Sequence, residues 1–415
     1  MSGTVVVSQL GARMHYAVPR IFHRTGRLER LYTDICATVG WPRLLTALPP
    51  AALPGALRRL SGRVPQSIPR DRIGCFEAIG LASVFARTMD TGRAADTSAA
   101  LTAGRRFSAA VARQGFGGAD TLYAISGECL EQLRAARDRG LATVVEQIIA
   151  PRQIVDELVD AEIARHPDWG AAVEPDPHAD AFAAREKAEW ALADIVVCPS
   201  EFVRDGIARV GGPVERCVVV PYGVDVGAVP AAKAPRRGRP LRVLTAGAVG
   251  LRKGSPYVLE VARRLQGVAE FRMVGGVHLP SAVEDRLRQH VELTGTVPRS
   301  EMAWHYAWAD VFFLPSVCEG SATVIYEALG NGLPVVTTPN AGSVVRDGID
   351  GFVCSSGDAD GFAGRIETLA RDDALLGRMS VQARLQGLDH DVASYGRRLL
   401  AAIGQVGERA GGQTP

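Results

Sequence analysis

Long apolar runs are missing from this chain of 415 residues, and so is any strong excess of charge. No uninterrupted apolar stretch approaches the roughly 20 residues needed to cross a bilayer as a helix. The formal net charge is +2, far from the basic excess of a dedicated nucleic-acid binder, so no nucleic-acid partner is expected. Cysteine is sparse: Cys36, Cys75, Cys129, Cys198, Cys217, Cys318 and Cys354 are scattered, odd in number and without a Cys-x-x-Cys pair. That usage fits a reducing compartment rather than a disulfide or zinc framework. The opening MSGTVVVSQL runs straight into a strand pattern with no charged segment and no long apolar segment. No secretory leader is therefore expected, and the expected location is the cytoplasm. No G-x-G-x-x-G follows this first strand, which argues against a dinucleotide-binding dehydrogenase. The run Gly115-Phe116-Gly117-Gly118 precedes a strand pattern instead of following one.

What is present is organised around residues 310–338, DVFFLPSVCEGSATVIYEALGNGLPVVTT. Val311 to Leu314 reads as a buried strand, ended by Pro315-Ser316. A loop carries Glu319-Gly320-Ser321, a helix is predicted from about Ala322 to Leu329, and Asn331-Gly332 stops it. Leu333 to Thr338 gives the next strand. The loop thus lies at the carboxyl end of a strand, where open α/β sheets bind ligands. Two acids, Glu319 and Glu327, bracket the unit with seven residues between them. Eight helical steps are about 2.2 turns, which places both carboxylates on one side of a helix. The free N–H groups of the helix start suit a phosphate between them. On spacing alone, an amphipathic helix with two surface glutamates is an equal reading.

The segment EGSATVIYEALGNGLPVVTT closely resembles the donor-site motif of glycosyltransferase family 4, retaining enzymes of two-Rossmann GT-B architecture. VLTAGAVGLRKGSPYVLEVA, FRMVGG and LTGTVPRSE precede it in that family's order. The resemblance implies an α/β fold of two doubly wound, Rossmann-like domains facing each other across a cleft. It divides the chain into an acceptor-binding domain at 1–210, a nucleotide-sugar domain at 211–388, and a terminal helix at 389–406 crossing back to the first domain. It also implies roles residue by residue. Glu319 and Lys253 are the expected catalytic pair. Gly11, Arg252, Gly275, Val297, Gly320, Ser321, Ala322, Thr323 and Glu327 are expected around the donor, with Glu327 accepting from a ribose diol and Val297 holding the base edge. The family commonly has an arginine after the first glycine of the GAVGLRKG loop, where Ala248 stands here, so Arg252 is the candidate replacement. The family also often places a histidine at a strand end near the acceptor. This chain has Glu146-Gln147 there, so those two are the acceptor-side candidates, with an ordinary buried strand-end acid as the equal reading.

Other patterns read more plainly. Trp304, Tyr306 and Trp308 form an aromatic stripe at helical spacing, which can stack on a base but is expected to be core. Asp358-x-Asp360 and Asp389-x-Asp391 spell a metal-site pattern of another fold, but the first precedes a helix, where acids cap. No metal ligands and no cofactor are expected, a nucleotide sugar being a substrate. Residues 41–72 mix prolines, short apolar pieces and six arginines with one acid, Asp71. Such a segment can rest on an anionic membrane surface beside a lipid-linked acceptor, or be a solvated connection. The stretch 231–240 reads as a surface loop and 407–415 as a tail. The resulting expectation is transfer of a sugar from a UDP- or GDP-linked donor to a carbohydrate or lipid-linked hydroxyl. The alternatives are a GT-B nucleotide-sugar epimerase and a non-catalytic binding protein.

Overall fold

The structure is a computed structural model and describes residues 3–49, 53–89, 92–170, 172–225, 236 and 238–404. Most of the loop expected at 231–240, and all of the tail expected at 407–415, lie outside the described residues. The first sheet holds β1 (Val5–Ser8), β2 (Leu28–Thr33), β3 (Ile73–Cys75), β4 (Thr121–Ile125), β5 (Ala142–Glu146), β6 (Ile195–Cys198) and β7 (Cys217–Val219). Their order is β3-β2-β1-β4-β5-β6-β7, all parallel. The second sheet holds β8 (Leu241–Ala246), β9 (Ala269–Val274), β10 (Val291–Leu293), β11 (Val311–Leu314), β12 (Val335–Thr337) and β13 (Gly351–Val353). It runs β10-β9-β8-β11-β12-β13, again all parallel.

Parallel strands need crossover helices, and helices on both faces demand strands apolar on both sides. The sequence supplies them. In the first sheet Val5, Val7, Tyr123 and Ile125 feed one core, while Val6, Leu122 and Ala124 feed the other. Phe313 and Val336 face one layer of the second domain, and Phe312 and Val335 face its opposite. β7 pairs with β6 through Val196 and Cys217. The division expected at 210/211 therefore falls before the last strand of the first sheet, because the apolar run at 217–219 completes that sheet before the chain crosses over.

Among the described residues, the domains also meet on two flanks away from the cleft. The last helix, Val392–Gly404, puts Tyr395, Leu399 and Ile403 into one apolar cluster with Val18, Ile21 and Phe22 of the helix Ala17–Arg24. On the opposite flank, the helix Arg152–Arg165 leans on the second domain. Tyr257 donates to Glu162 Oε2 at 3.0 Å, Arg165 donates to the Tyr257 oxygen at 2.9 Å, and Trp169 is buried in the second-domain core.

Candidate active site

Each sheet reverses its strand order once, between β1 and β4 and between β8 and β11. Loops leaving the carboxyl ends of those strand pairs diverge and open a crevice, so ligand sites belong there. In the second domain the loop after β8 carries Arg252 and Lys253, and the loop after β11 carries Glu319. Lys253 Nζ lies 2.8 Å from Glu319 Oε1, and Arg252 Nη1 lies 3.3 Å from the same oxygen. Arg252 also donates to the Cys318 carbonyl at 3.4 Å. Arg252 and Lys253, neighbours in sequence, therefore both face the same carboxylate oxygen. Glu319 is only 8% exposed.

Glycines make this approach possible. A β-carbon at Gly275 would overlap the Gly247 carbonyl oxygen, and Gly275 itself has φ of +155°. At Gly247 a β-carbon would crowd the Lys253 side chain at 3.0 Å. Gly275 donates to the Gly295 carbonyl at 3.0 Å, which fixes the loop before Val297. Val297 itself is half-buried against the same core as Phe312.

The helix after Glu319 spans Thr323–Gly330, not Ala322–Leu329. Glu319 to Ala322 is loop, so counting helical turns from Glu319 to Glu327 does not apply. The two acids have different partners instead. Glu327 accepts from Tyr306 Oη at 2.8 Å and faces Arg299 Nη2 at 3.4 Å. Thr323, Glu327 and Arg299 line an interdomain cleft of about 210 Å³ with His15, Gly223 and Asp225. Arg299 also contacts His15 of the first domain. Met14, His15 and Tyr16 are left-handed there, at φ of +44°, +51° and +59°. Such strain in three non-glycine residues is held only where the surroundings impose it.

Of the donor residues expected in the Gly320 loop, Ala322 is already engaged: its N–H donates to the Ala341 carbonyl at 3.0 Å. That N–H cannot also meet a donor without giving up this bond. The Ser321 hydroxyl lies 2.7 Å from the Tyr326 hydroxyl and is buried with it, so the side chain braces the loop. Gly320 is where the domains touch. A β-carbon there would overlap the Ile148 carbonyl oxygen, and Ser200 donates to the Gly320 carbonyl at 2.6 Å.

Beyond that contact lies the crevice of the first domain, a cavity of about 340 Å³. Its polar lining includes Arg13, Asp34, Arg63, Glu128, Gln147 and Glu186. Gly11 lines it as well, and with φ of +72° and open space around its α-carbon, this glycine is required by backbone conformation rather than by close approach. Its N–H donates to Asp34 Oδ1 at 2.9 Å. Glu128 accepts from Leu10 N at 2.6 Å and faces Arg13 at 3.8 Å. Burial pushes its carboxyl up to about 7 despite the Arg13 charge. Burial likewise pushes Glu186 up to about 7, against hydrogen bonds from Arg152 N and Gln147.

Glu146 and Gln147 are not free acceptor contacts. Glu146 is 3% exposed and accepts from Tyr123 at 2.7 Å and Tyr222 at 2.9 Å, which is the strand-end structural reading. Gln147 donates to Glu186 Oε1 at 2.8 Å and accepts from Trp190 at 2.9 Å, and so aims Glu186 into the cavity. Alternation along β5 explains the split: adjacent residues point to opposite faces. Glu128, Glu186, Arg13, Asp34, Arg299 and Tyr306 went unnoticed as site residues in the sequence. For Arg13, Asp34 and Glu128 the available signal was position at the carboxyl ends of β1, β2 and β4, which are legible once the strands are placed; Glu186, Arg299 and Tyr306 lie elsewhere. The aromatic stripe divides: Tyr306 is buried on Glu327, Trp308 lies beneath Arg272 at 3.9 Å, and Trp304 is 73% exposed rather than core. Asp358 caps the helix Ala359–Arg371 through Gly361 N at 2.8 Å, and Asp391 accepts from Ser394 N at 2.6 Å.

Comparison with solved structures places this architecture. The chain is similar over 97% of its length to Anabaena Alr3699/HepE in complex with UDP, all of whose chain is covered, at a TM-score of 0.59 and 14% identity. It is equally similar to the apo lipopolysaccharide outer core galactosyltransferase WaaB, covering 99% of that chain at a TM-score of 0.61 and 14% identity. The fold is GT-B. Within this GT-B chain, residues 240–372 match the family described as glycosyl transferases group 1. Among curated relatives, a GDP-mannose-dependent alpha-(1-6)-phosphatidylinositol monomannoside mannosyltransferase of Mycolicibacterium smegmatis is 30% identical over 48% of the chain and 58% of its own length. The putative colanic acid biosynthesis glycosyltransferase WcaL of Salmonella typhimurium is 29% identical over 43% and 48%. The chain spans about half the length of the curated relatives it matches. The Lys253–Glu319 pair lies at the strand reversal of the second sheet and the Glu128–Glu186 cavity at that of the first, with the Gly320–Ile148 contact between them.

Proposed function

We propose that this protein is a retaining glycosyltransferase that moves a sugar from a nucleoside-diphosphate donor to an acceptor hydroxyl in bacterial polysaccharide or glycolipid synthesis. The observation that carries the reading is the pairing of Lys253 with Glu319, and of Arg252 with the same carboxylate, at the strand reversal of the second sheet. Departure of a diphosphate from a sugar builds negative charge on phosphate and positive charge at the anomeric carbon. Two cations and a carboxylate, preorganised around one oxygen, oppose both. Lys253 meets the phosphate as a point charge, Arg252 as a planar fork. Glu319 turns to the sugar hydroxyls once phosphate claims the cations. Glu327, held by Tyr306, receives the ribose diol. The N–H groups of Gly320 and Ser321 meet the donor, and the backbone at Gly275 and Val297 borders the base.

The acceptor hydroxyl enters from the first domain's cavity, where Glu128 and Glu186 accept hydrogen bonds from a polyhydroxyl group. Its proton passes to the leaving phosphate on the same face of the sugar, so the configuration is retained. The relatives named for polysaccharide and phosphatidylinositol mannoside synthesis, and the UDP complex, support the donor and acceptor classes. With Arg252 and Lys253 taking the phosphate charge, no divalent ion is required. In the segment 41–72, Leu44 and Leu48 are at least half exposed beside Arg43. This supports peripheral contact with an anionic membrane while the catalytic domains stay in the cytoplasm.

The deciding experiment is nucleotide release across UDP-, GDP- and dTDP-sugars, wild type beside Glu327→Ala. Release from one donor, lost in the variant and unchanged by EDTA, is the expected outcome. No binding or hydrolysis of any donor at about millimolar concentration, the weak end of ordinary substrate affinity, would overturn the reading. Conversion of the donor sugar without diphosphate release would replace it with epimerisation.

A further inference from the structure

Two thiols meet on the first domain where nothing in the proposed reaction uses them. Cys36 Sγ and Cys75 Sγ lie 3.5 Å apart. Cys75 ends β3, and Cys36 lies three residues beyond β2, the parallel neighbour that pairs Thr33 with Cys75. Cys36 is fully buried, whereas Cys75 is partly exposed and gives solvent a way in. A disulfide needs its sulfurs at about 2.05 Å, a closure of roughly 1.5 Å from the present contact.

We propose that Cys36 and Cys75 form a reversible disulfide under a hydroperoxide, and that the bond moves the loop lining the acceptor cavity. The bond needs no catalytic reading of this chain; its effect on turnover rests on the proposed function. One thiolate attacks the peroxide oxygen, releasing an alcohol, or water from hydrogen peroxide, and leaving a sulfenic acid. The second thiol attacks that sulfur and releases water. Two thiols are oxidised, one peroxide is reduced, and both thiol protons end in the released products. The Cys75 hydrogen bond draws the Cys36 thiol down to about 6 in spite of burial, with N–H groups of Thr38 and Val39 adding to it. That shift favours the thiolate, the form that reacts.

The mechanical link is short. Asp34, two residues before Cys36, accepts the Gly11 N–H at 2.9 Å and faces Arg63 at 3.4 Å. Ala37 N donates to the Arg63 carbonyl at 2.9 Å. Gly11, Asp34 and Arg63 all line the cavity. Drawing Cys36 toward Cys75 pulls on all three.

The test treats the full chain with hydrogen peroxide, then counts free thiols and maps tryptic peptides. Loss of two of the seven thiols, a peptide joining Cys36 to Cys75, and full reversal by dithiothreitol are expected. Neither Cys75→Ser nor Cys75→Ala should give the cross-link, and either variant suffices if the other misfolds. Oxidation elsewhere with Cys36 and Cys75 still free, or a sulfinate on Cys75 without the cross-link, overturns the proposal. In the second arm, acceptor-dependent turnover falls by about a hundredfold on oxidation, the scale expected for a loop displaced by about 1 Å, and returns on reduction. A bond that forms with unchanged turnover overturns the effect on the cavity. Absence of turnover in the reduced protein counts against the proposed function, while the cross-link result stands independently.

Discussion

Lys253 Nζ and Glu319 Oε1 meet at 2.8 Å across the gap where the second sheet reverses its strand order. They come from loops after different strands, so neither position makes sense without the sheet. If both serve the same leaving group and sugar, their losses are not independent. Lys253→Ala and Glu319→Ala are each expected to lower kcat about 10²- to 10³-fold, and the double variant to fall little further. Steady-state donor turnover for the four proteins measures this directly. Additive losses would mean that the pair does not act as a unit.

Arg252 shares the carboxylate with Lys253 from 3.3 Å but is more exposed. Its removal should weaken donor binding more than chemistry. Arg252→Ala is expected to raise the donor KM about tenfold, a loss of roughly 1.4 kcal/mol, with a smaller change in kcat. Arg252→Lys should recover little, because an ammonium lacks the planar fork. A kcat collapse equal to that of Lys253→Ala would instead give Arg252 a transition-state role.

Tyr306 donates to Glu327 Oε2 at 2.8 Å from a nearly buried position. Tyr306→Phe removes that bond without emptying the core. Nucleotide affinity should fall by about 1.5–3 kcal/mol at most, the worth of a hydrogen bond to a charged group. Titration calorimetry with the free nucleotide reads the loss, and circular dichroism should show an unchanged fold.

Gly320 meets the Ile148 carbonyl so closely that no β-carbon fits. Gly320→Ala therefore has to part the two domains or shift the Glu319 loop. An overpacking cost of about 1–3 kcal/mol is expected, with a lower melting temperature and a larger loss of transfer than of nucleotide binding. A variant equal to wild type in all three would show that the domains do not work in this closed contact.

Glu128 links the first-domain cavity to pH. Its carboxyl lies at about 7 in the fold against an ordinary 4.5, raised by burial. Between those values the folded chain holds a proton that the unfolded chain has released. Stability from this group is therefore complete below the unfolded value, falls as pH rises from about 4.5 to 7, and is level above. Glu186 slopes the same way. Glu128→Gln should flatten urea midpoints across that window, and an unchanged slope would reassign it to other groups.

By itself the sequence determined the alternation of apolar strands and crossover helices, since parallel strands covered on both faces must be apolar throughout. It also determined the local unit around Glu319, because strand, loop and helix stop lie within one short stretch. Lys253 was expected only from the family resemblance, and the structure places it on the Glu319 carboxylate. What needed tertiary structure was every relation between distant loops. Glu146 and Gln147 sit at a strand end, yet only the folded core shows Tyr123 and Tyr222 closing over one and Trp190 over the other. The first domain extends to β7 because Cys217–Val219 finds a free edge beside β6, a fact of sheet pairing and not of composition. Glu128, Glu186 and Arg299 carry no motif. Long-range packing brings them to the cleft, and local sequence does not encode which strand ends will become neighbours.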